Sequence, residues 1–301
     1  MFKEIVSFIK SLYPDENPVP LHAPRFNGNE KKYLVECIDT TFVSYVGEYV
    51  KLLEEHIRNF TGARYAVATV NGTEALHLAL ILAGVKPGDE VLTQAMTFVA
   101  TANAIAYCQA HPVFLDVERS TLGLDPEKLE DFLELNGVVK PDGFCYNRVT
   151  GRRISAGVPM HTFGHPARID QIVDICRKHH LAVVEDSAEA LGSFYKRQHA
   201  GTFGDFGILS FNGNKPVTAG GGGMIITNNE SLGFQAKHIS TTAKLPHPWE
   251  FIHDRVGYNS RMPNINAAVG CAQMEKLPQV IENKRQTAQL YKEFFDNLCL
   301  P

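Results

Sequence analysis

The chain has 301 residues, of which 44% are hydrophobic and 21% are charged, and its formal net charge is −4. This composition is typical of a soluble globular protein, and the weakly acidic charge without a Lys/Arg cluster disfavours a nucleic-acid-binding protein. The length allows one large domain, or one large domain and a smaller one, with a well-buried core.

The N-terminal stretch, residues 1–18, predicts a short amphipathic helix that a proline ends, and it lacks the apolar region and cleavage site of a signal peptide. No apolar run reaches the roughly 18 residues of a membrane span, so we expect a cytoplasmic protein with no membrane partner. The histidines, including His179 and His180, lack metal-ligand spacing, and we expect no metal site. The cysteines have no CxxC pair and are expected to be free thiols. They are Cys37, Cys108, Cys145, Cys176, Cys271 and Cys299.

Short apolar segments alternate with helical segments between residue 64 and about residue 229. The predicted strands are 64–70, 89–94, 111–117, 158–164 (with its exit loop), 181–187, 206–212 and 222–228, and the predicted helices are 74–84, 98–110, 125–135 and 169–180. Asp125 as N-cap and Pro126 at the first helical position strengthen one helix start. Because the strands are almost wholly apolar, the pattern predicts an α/β fold with a mostly parallel central sheet covered by helices. Such sheets bind ligands beyond the carboxyl ends of their strands.

Two regions depart from this alternation. Residues 145–154, CYNRVTGRRI, predict a β-hairpin that turns around residues 149–151, which we expect to be an exposed insertion. After about residue 264 the composition predicts a long helix that is interrupted near Pro278. No later element is predicted to cover this helix, so we expect it to pack in an oligomer or against a missing segment.

Two strand ends carry residues that could bind a ligand. In NGTEAL (71–76) a strand ends and a helix begins, so the amides of Thr73 and Glu74, with the Thr73 hydroxyl, could hold a phosphate; alternatively, Thr73 only caps the helix. In VVEDS (183–187) Asp186 could face the crevice while Glu185 turns away; alternatively, Asp186 caps the next segment.

Lys215 lies in SFNGNKPVTAGGGGM, between a predicted strand and a run of four glycines. A Walker loop places its lysine between Gly and Ser/Thr, whereas Lys215 lies between Asn214 and Pro216. A dinucleotide-binding fingerprint follows the first strand and opens a helix, whereas this glycine run precedes a strand. A partly desolvated lysine in such a turn would suit Schiff-base chemistry; a solvated loop lysine is the alternative.

An anion-binding helix start, a strand-end carboxylate and a loop lysine are the groups that pyridoxal 5'-phosphate (PLP) requires for its phosphate, ring nitrogen and aldehyde. The sequence resembles the DegT/DnrJ/StrS-type nucleotide-sugar aminotransferases, which are PLP-dependent enzymes of fold type I. The resemblance extends from residues 20–30 to residues 258–270. Its motifs are NGTEALHLAL, MTFVATANAI, HTFGHP, VVEDSAEALGS, SFNGNK followed by GGGGM, and GYNSRMPN.

The resemblance implies that Lys215 forms the Schiff base and shuttles protons, and that Asp186 pairs with the ring nitrogen. The implied cofactor-binding residues are Gly72, Thr73, Glu74, Phe98, His161, Asp186, Glu189, Ser210, Lys215 and Asn259. Phe98 would stack on the ring, and His161 would lie near it, although each could instead be a core residue. Asn259 would reach the cofactor phosphate of a neighbouring subunit, so that the active sites are shared in a homodimer.

Glu189 stands where many family members carry Gln or His. Together with FNGNE (26–30), the TGRRI hairpin and SFNGNK, it resembles the LegC-like subgroup. That resemblance implies amination at C4 of a UDP-linked 4-keto-6-deoxy-N-acetylhexosamine, with L-glutamate as donor. The product would serve bacillosamine- or legionaminic-type sugars of bacterial surface glycans.

Family members continue beyond position 301 with a small C-terminal domain. We therefore expect a large PLP-binding domain over residues 1–260, with an N-terminal segment 1–60, and a truncated start of the small domain over 261–301. The alternative functions are a C3 aminotransferase acting on another nucleotide keto-sugar and a non-catalytic PLP-binding regulatory protein. A related sugar 3-dehydratase would replace Lys215 with histidine, and a nicotinamide-dependent oxidoreductase would need the absent fingerprint.

Overall fold

The computed structural model describes residues 2–298, and a nine-stranded, mostly parallel sheet lies at its centre. The helices are α1 (Phe2–Leu12), α2 (Glu30–Asp39), α3 (Glu48–Thr61), α4 (Gly72–Leu82), α5 (Val99–Tyr107), α6 (Pro126–Asn136), α7 (Ile169–Lys178), α8 (Glu230–Ser240) and α9 (Asn264–Asn297). The strands are β1 (Tyr65–Thr69), β2 (Glu90–Gln94), β3 (His111–Leu115), β4 (Gly137–Val139), β5 (Cys145–Asn147), β6 (Arg153–Val158), β7 (Ala182–Asp186), β8 (Phe194–Tyr195), β9 (Gln198–His199), β10 (Phe206–Ser210) and β11 (Gly223–Thr227). The α/β class with a mostly parallel sheet is confirmed.

The strand order β1-β11-β10-β7-β6-β2-β3 brings distant parts of the chain side by side. The pairs β10–β7, β7–β6, β6–β2 and β2–β3 are parallel, whereas β11 is antiparallel to both β1 and β10. Strands β1 and β10 therefore point the same way. As a result, the carboxyl ends of β1, β7 and β10 and the amino end of β11 lie along one edge of the sheet.

Helices cover both faces of the sheet. Alternate residues of each buried strand point to opposite faces and therefore pack against different helices. Val184 packs in one core cluster with α4, α5 and α8, whereas its neighbour Val183 packs in another with α6 and α7. Ile225 likewise joins the first cluster, and Met224 joins a third that contains residues of α3 and α9. The double cover that the sequence predicted is present.

The strand predicted at 158–164, with its exit loop, is placed too late in the chain, because β6 covers Arg153–Val158 and residues Thr162–Gly164 form a 3-10 turn. Beyond Val158 the parallel pairing continues as a single bridge between Met160 and Asp186. The hairpin at 145–154 is confirmed, with Cys145 paired to Ile154, but it is not an exposed insertion. Strand β5 extends the sheet and Cys145 is buried, so only the turn is well exposed.

The C-terminal helix α9 is continuous through Pro278, so the predicted interruption is wrong. Leu277 before the proline and Ile281 after it both pack in the cluster that contains Leu53 and Ile57 of α3. This packing on both sides of Pro278 stabilises the continuous helix. The helix also has partners within the chain, contrary to expectation. Its first half is buried against α2 and α3, and its second half meets α1, where the rings of Phe8 and Phe294 stack at 4.1 Å.

Within residues 2–298, no helix combines the length and apolar character needed to cross a membrane. The same residues contain no group of three or more His, Cys, Asp or Glu side chains placed to hold a metal ion. The cysteines in this range are free and buried, whereas Cys299 lies outside the described residues. The division into domains near residue 260 stays a prediction.

Candidate active site

A cavity of about 260 Å³ opens at the carboxyl ends of β1, β7 and β10. Seven of the ten predicted cofactor-binding residues line it: Gly72, Thr73, Phe98, Asp186, Glu189, Ser210 and Lys215. Glu74, His161 and Asn259 are not among the lining residues. The three groups that the sequence placed at separate strand ends therefore meet in one cavity.

The N-terminus of α4 forms one end of the cavity. Asn71 caps this helix, because its side-chain oxygen accepts a hydrogen bond of 2.8 Å from the Glu74 amide. This contact corrects two expectations: Thr73 is not the cap, and the Glu74 amide is already engaged. The amides of Gly72 and Thr73 occupy the first two helical positions, have no acceptor within the helix, and favour an anion.

Ser210, the last residue of β10, lies directly against this helix start. A Cβ atom added to Gly72 would lie 3.3 Å from Ser210 Oγ, so only glycine leaves the serine undisturbed there. The Glu74 side chain turns elsewhere, since it accepts a hydrogen bond of 2.9 Å from Ser260. The anion-binding end therefore consists of the Gly72 and Thr73 amides and the hydroxyls of Thr73 and Ser210.

Asp186 ends β7 and forms the buried floor of the cavity, with 5% of its surface exposed. Its Oδ2 accepts a hydrogen bond of 2.6 Å from the Thr101 hydroxyl, and its Oδ1 accepts one of 3.2 Å from the Ala188 amide. Burial raises the pKa of this carboxyl, although these two bonds and the nearby charge of Lys215 oppose the rise. Burial therefore disfavours the ionised form of Asp186, and a cation that faces the carboxyl would favour it.

Glu185 points to the other side of β7, as predicted, and is fully buried. It accepts hydrogen bonds from three amides of the loop 201–204 and contacts His161 Nε2 at 3.0 Å. His161 Nδ1 accepts from the Ala167 amide, so its Nε2 carries the proton and donates to Glu185. His161 is therefore a core histidine rather than part of the cavity wall.

Lys215 is held by an ion pair, because its Nζ lies 2.9 Å from Glu189 Oε1. Only 14% of the lysine side chain is exposed, so the alternative of a solvated loop lysine does not hold. Glu189 also accepts a hydrogen bond from the Phe163 amide, which ties the loop after β10 to the loop after β6. The pair presents a primary amine at the wall of the cavity that Asp186 also lines.

The glycine run brings β11 against the start of α4. Gly222 has a φ of 123°, and a Cβ on Gly223 would lie 2.5 Å from the backbone of Asn71. Residues with side chains would be strained at the first position and would clash at the second. The glycines therefore let two chain segments approach closely.

Phe98 and Asn259 are both exposed but differ in position. Phe98 lies just before α5, is 67% exposed and lines the cavity, so it is not a core phenylalanine. Asn259 accepts a hydrogen bond of 2.8 Å from Arg261 Nε and does not line this cavity. Its expected reach into a neighbouring subunit stays a prediction.

Two residues of the site, Asn71 and Thr101, were not predicted from the sequence. Asn71 caps α4, and Thr101 donates a hydrogen bond to Asp186. The signal for Asn71 was present, because Asn is a preferred N-cap residue and directly precedes the glycine. Thr101 carried no such signal, since its partner Asp186 is 85 residues away in the chain.

A family model for the DegT/DnrJ/EryC1/StrS aminotransferases matches residues 24–300. The chain belongs to this family. It is 37% identical over 280 residues to the GDP-perosamine synthase of Escherichia coli O157:H7, an alignment that covers 93% of this chain and 72% of the relative.

Two solved structures share the fold. One is PseC of Helicobacter pylori, an aminotransferase involved in the biosynthesis of pseudoaminic acid, with a TM-score of 0.82 and 25% identity over 93% of this chain and 71% of that chain. The other is the aminotransferase TlmJ of Streptoalloteichus hindustanus, with a TM-score of 0.83 and 28% identity over 93% and 72%. The chain is thus a PLP-dependent nucleotide-sugar aminotransferase of fold type I.

The lining of the cavity fits this cofactor chemically. An amide-rich helix start with two hydroxyls suits a phosphate, and a buried carboxyl suits a protonated ring nitrogen. A shielded primary amine suits an aldehyde, and the exposed face of Phe98 suits an aromatic ring.

Proposed function

We propose that this aminotransferase moves the amino group of L-glutamate to C4 of a UDP-linked 4-keto-6-deoxy-N-acetylhexosamine. The observation that carries the proposal is the convergence of Lys215, Asp186 and the α4 N-terminus on one cavity. The choice of sugar rests on the motifs of the LegC-like subgroup, above all FNGNE, TGRRI and SFNGNK. The product would belong to bacillosamine- or legionaminic-type surface glycan biosynthesis, and the enzyme would act in the cytoplasm.

The groups that line the cavity are proposed to bind different parts of the cofactor. The Gly72 and Thr73 amides, with the hydroxyls of Thr73 and Ser210, bind the phosphate. Asp186 keeps a proton on the ring nitrogen, and Phe98 covers one face of the ring. PLP, when bound, supplies an electron sink that stabilises negative charge at the carbon from which a proton is removed.

Lys215 Nζ has two proposed tasks, covalent attachment of the cofactor aldehyde and proton transfer at the reacting carbon of the donor. The ion pair with Glu189 holds the amine at the wall of the cavity and shields it from water. An ammonium group cannot attack a carbonyl, so Lys215 must leave its ion pair with Glu189 and lose its proton before attachment. Glu189 is therefore proposed as the partner that sets when Lys215 reacts.

The active site is proposed to be shared between two copies of the chain. Asn259 is exposed, its side-chain oxygen accepts a hydrogen bond from Arg261, and neither residue lines the cavity of its own subunit. In a homodimer, an amide and a guanidinium in this place could reach the phosphate of the partner's cofactor. The large domain over 1–260 and the start of a small domain over 261–301 are part of the same proposal.

The test begins with the purified chain loaded with PLP, beside Lys215→Ala and Lys215→Arg. Wild-type protein should show the absorbance of covalently attached cofactor and should convert it to the amine form when glutamate is added. Both variants should bind PLP without covalent attachment and should show no turnover. Absence of attachment or of the glutamate half-reaction in wild-type protein would overturn the assignment of Lys215 or of the donor.

The sugar is tested by product identification. The UDP-linked 4-keto sugar and a GDP-linked keto-sugar are supplied separately, and NMR locates the new amino group. The GDP-linked compound is the second candidate, because the 37% identity to a GDP-perosamine synthase favours it. Amination of the UDP sugar at C4 supports the proposal, amination at C3 overturns the position, and exclusive use of the GDP sugar overturns the nucleotide.

A further inference from the structure

A chain of polar contacts runs away from Asp186 beneath the cavity. Asp186 Oδ2 lies 2.6 Å from Thr101 Oγ1, which lies 2.9 Å from Thr97 Oγ1, and that oxygen lies 3.1 Å from Met160 Sδ. Thr101 is fully buried, and Thr97 is partly buried. The chain thus connects the carboxyl at the end of β7 with a thioether that also lines the cavity.

These three contacts share only two hydroxyl protons, because each threonine can donate one hydrogen bond. When Asp186 is ionised, Thr101 donates to it, Thr97 donates to Thr101, and Met160 Sδ receives no proton. When Asp186 carries a proton, it can donate to Thr101, which donates to Thr97, which donates to Met160 Sδ. All three contacts are hydrogen bonds only when Asp186 is protonated. The same positions of the oxygen atoms nevertheless suit both the protonated and the ionised form.

The surroundings of Asp186 make both states accessible. Burial disfavours the ionised form, whereas the Ala188 amide and the positive charge of Lys215 favour it. His161 also acts on the carboxyl, but its ring is engaged by Glu185 on the far side of β7. The Lys215 charge is in turn matched by Glu189. A cation arriving in the cavity would therefore favour the ionised form of Asp186.

We infer that Thr101 and Thr97 form a reversible hydrogen-bond chain that positions the Asp186 carboxyl in both protonation states. When Asp186 carries a proton the hydrogen bonds run from Asp186 toward Met160, and when Asp186 is ionised, as it would be opposite a protonated ring nitrogen, they run toward Asp186. Thr101 is the positioning residue and Thr97 supports it. The inference rests on the proposed pairing of Asp186 with the cofactor nitrogen.

The first measurement is the affinity of the apo-protein for PLP. Thr101→Val keeps the shape but removes the hydroxyl, and we expect about tenfold to a hundredfold weaker binding from the loss of a hydrogen bond to a charged group. Thr101→Ser should restore affinity to within about threefold, and Thr97→Val should weaken it less than Thr101→Val does, because it removes only the supporting donor. In an Asp186→Asn background, Thr101→Val should change affinity by less than about threefold, since no carboxylate remains to be held.

The matched control is Thr93→Val. Thr93 is fully buried and donates a hydrogen bond of 2.8 Å to the Val158 carbonyl on the neighbouring strand, without contact to Asp186. This variant should melt at a lower temperature than wild type and bind PLP as wild type does. If Thr101→Val behaves in the same way, or if Thr101→Ser fails to restore binding, Thr101 is only structural and the inference is overturned.

A second measurement needs no cofactor. In apo-protein labelled with 13C at the Asp carboxyls, Asp186 is assigned by its loss in Asp186→Asn and titrated by NMR. Thr101→Val should raise its titration midpoint by about one pH unit, because the hydrogen bond to the ionised form is the stronger one. An unchanged titration midpoint overturns the inference, whether or not wild-type protein binds PLP. Failure of wild-type protein to bind PLP overturns the proposed function instead.

Discussion

The structure separates the residue that caps α4 from the residue proposed to bind the phosphate, and this separation can be tested with two substitutions. Asn71→Ala removes the acceptor of the Glu74 amide, a contact of 2.8 Å. Thr73→Val removes a hydroxyl that makes no hydrogen bond to the other described residues. The first change should act on the fold and the second on the ligand.

The expected magnitudes differ in kind. Loss of an N-cap side chain destabilises a protein by about 1 kcal/mol, which corresponds to a fall of roughly 2–4 °C in the melting temperature of a domain of about this size. Thr73→Val should change the stability of the apo-protein by less than about 0.5 kcal/mol. Because it removes a charge-assisted bond worth about 1.5–3 kcal/mol, it should weaken PLP binding by about tenfold to a hundredfold.

The binding assay is best done in a Lys215→Ala background, where covalent attachment cannot mask the phosphate contact. Apo-protein is titrated with PLP and with pyridoxal, which lacks the phosphate, and melting curves are recorded for each variant. Thr73→Ser, which keeps the hydroxyl, is the control and should bind PLP like its parent. Thr73→Val should bind pyridoxal normally. If it instead melts like Asn71→Ala and binds PLP normally, Thr73 is part of the cap and the assignment of the anion-binding end fails.

Three further predictions follow from other contacts. Glu189→Gln should speed covalent attachment of PLP about fivefold at neutral pH in stopped-flow absorbance, because Lys215 no longer leaves an ion pair worth about 1 kcal/mol; slower attachment would contradict this. Burial lowers the pKa of His199 to about 4, so the unfolded chain binds a proton on this histidine more readily than the folded chain does. The free energy of unfolding should therefore fall by up to about 1.4 kcal/mol per pH unit as the pH drops from about 6.5 to 4. Denaturant titrations at several pH values should show a shallower fall for His199→Gln. Gly207→Ala would place a Cβ 2.0 Å from the Gly201 carbonyl oxygen and should destabilise by about 1–3 kcal/mol or more, whereas Gly213→Ala, where nothing lies within 4 Å, should not; equal melting temperatures would refute this.

Elements with strong local signals were predictable from the sequence. The alternation of apolar strands and helices identified the sheet, and Asp125 caps α6 as its position before Pro126 indicated. Helix α3 was not predicted, although Val50, Leu53 and Ile57 are spaced for one buried face, so its signal was present. The errors arose where local signals were weighed without tertiary context. The strand predicted at 158–164 lies earlier, at Arg153–Val158, and Pro278 does not interrupt a helix that packing holds on both sides.

Within the site, residue identity was easier to predict than hydrogen-bond partnership. Lys215 and Asp186 stood out by their places at strand ends, and the parallel sheet brings these ends together. The Glu74 amide, by contrast, was expected to face an anion and is bonded to Asn71. His161 was expected beside the ring and is bonded to Glu185. Partners that are distant in sequence decide such cases, and one sequence does not contain that information.

The adjacent acids at the end of β7 show why partnership decides function. Glu185 and Asp186 are both buried, and strand alternation sends them to opposite sides. Glu185 accepts four hydrogen bonds, from His161 and from three amides of the loop 201–204, so its acceptor positions are filled within the protein. Asp186 accepts only two and faces a cavity. A buried carboxylate with unused acceptor capacity is stabilised by a further donor or cation. The proposed pairing with a protonated ring nitrogen would supply that donor to Asp186, whereas Glu185 has no acceptor capacity left for a ligand.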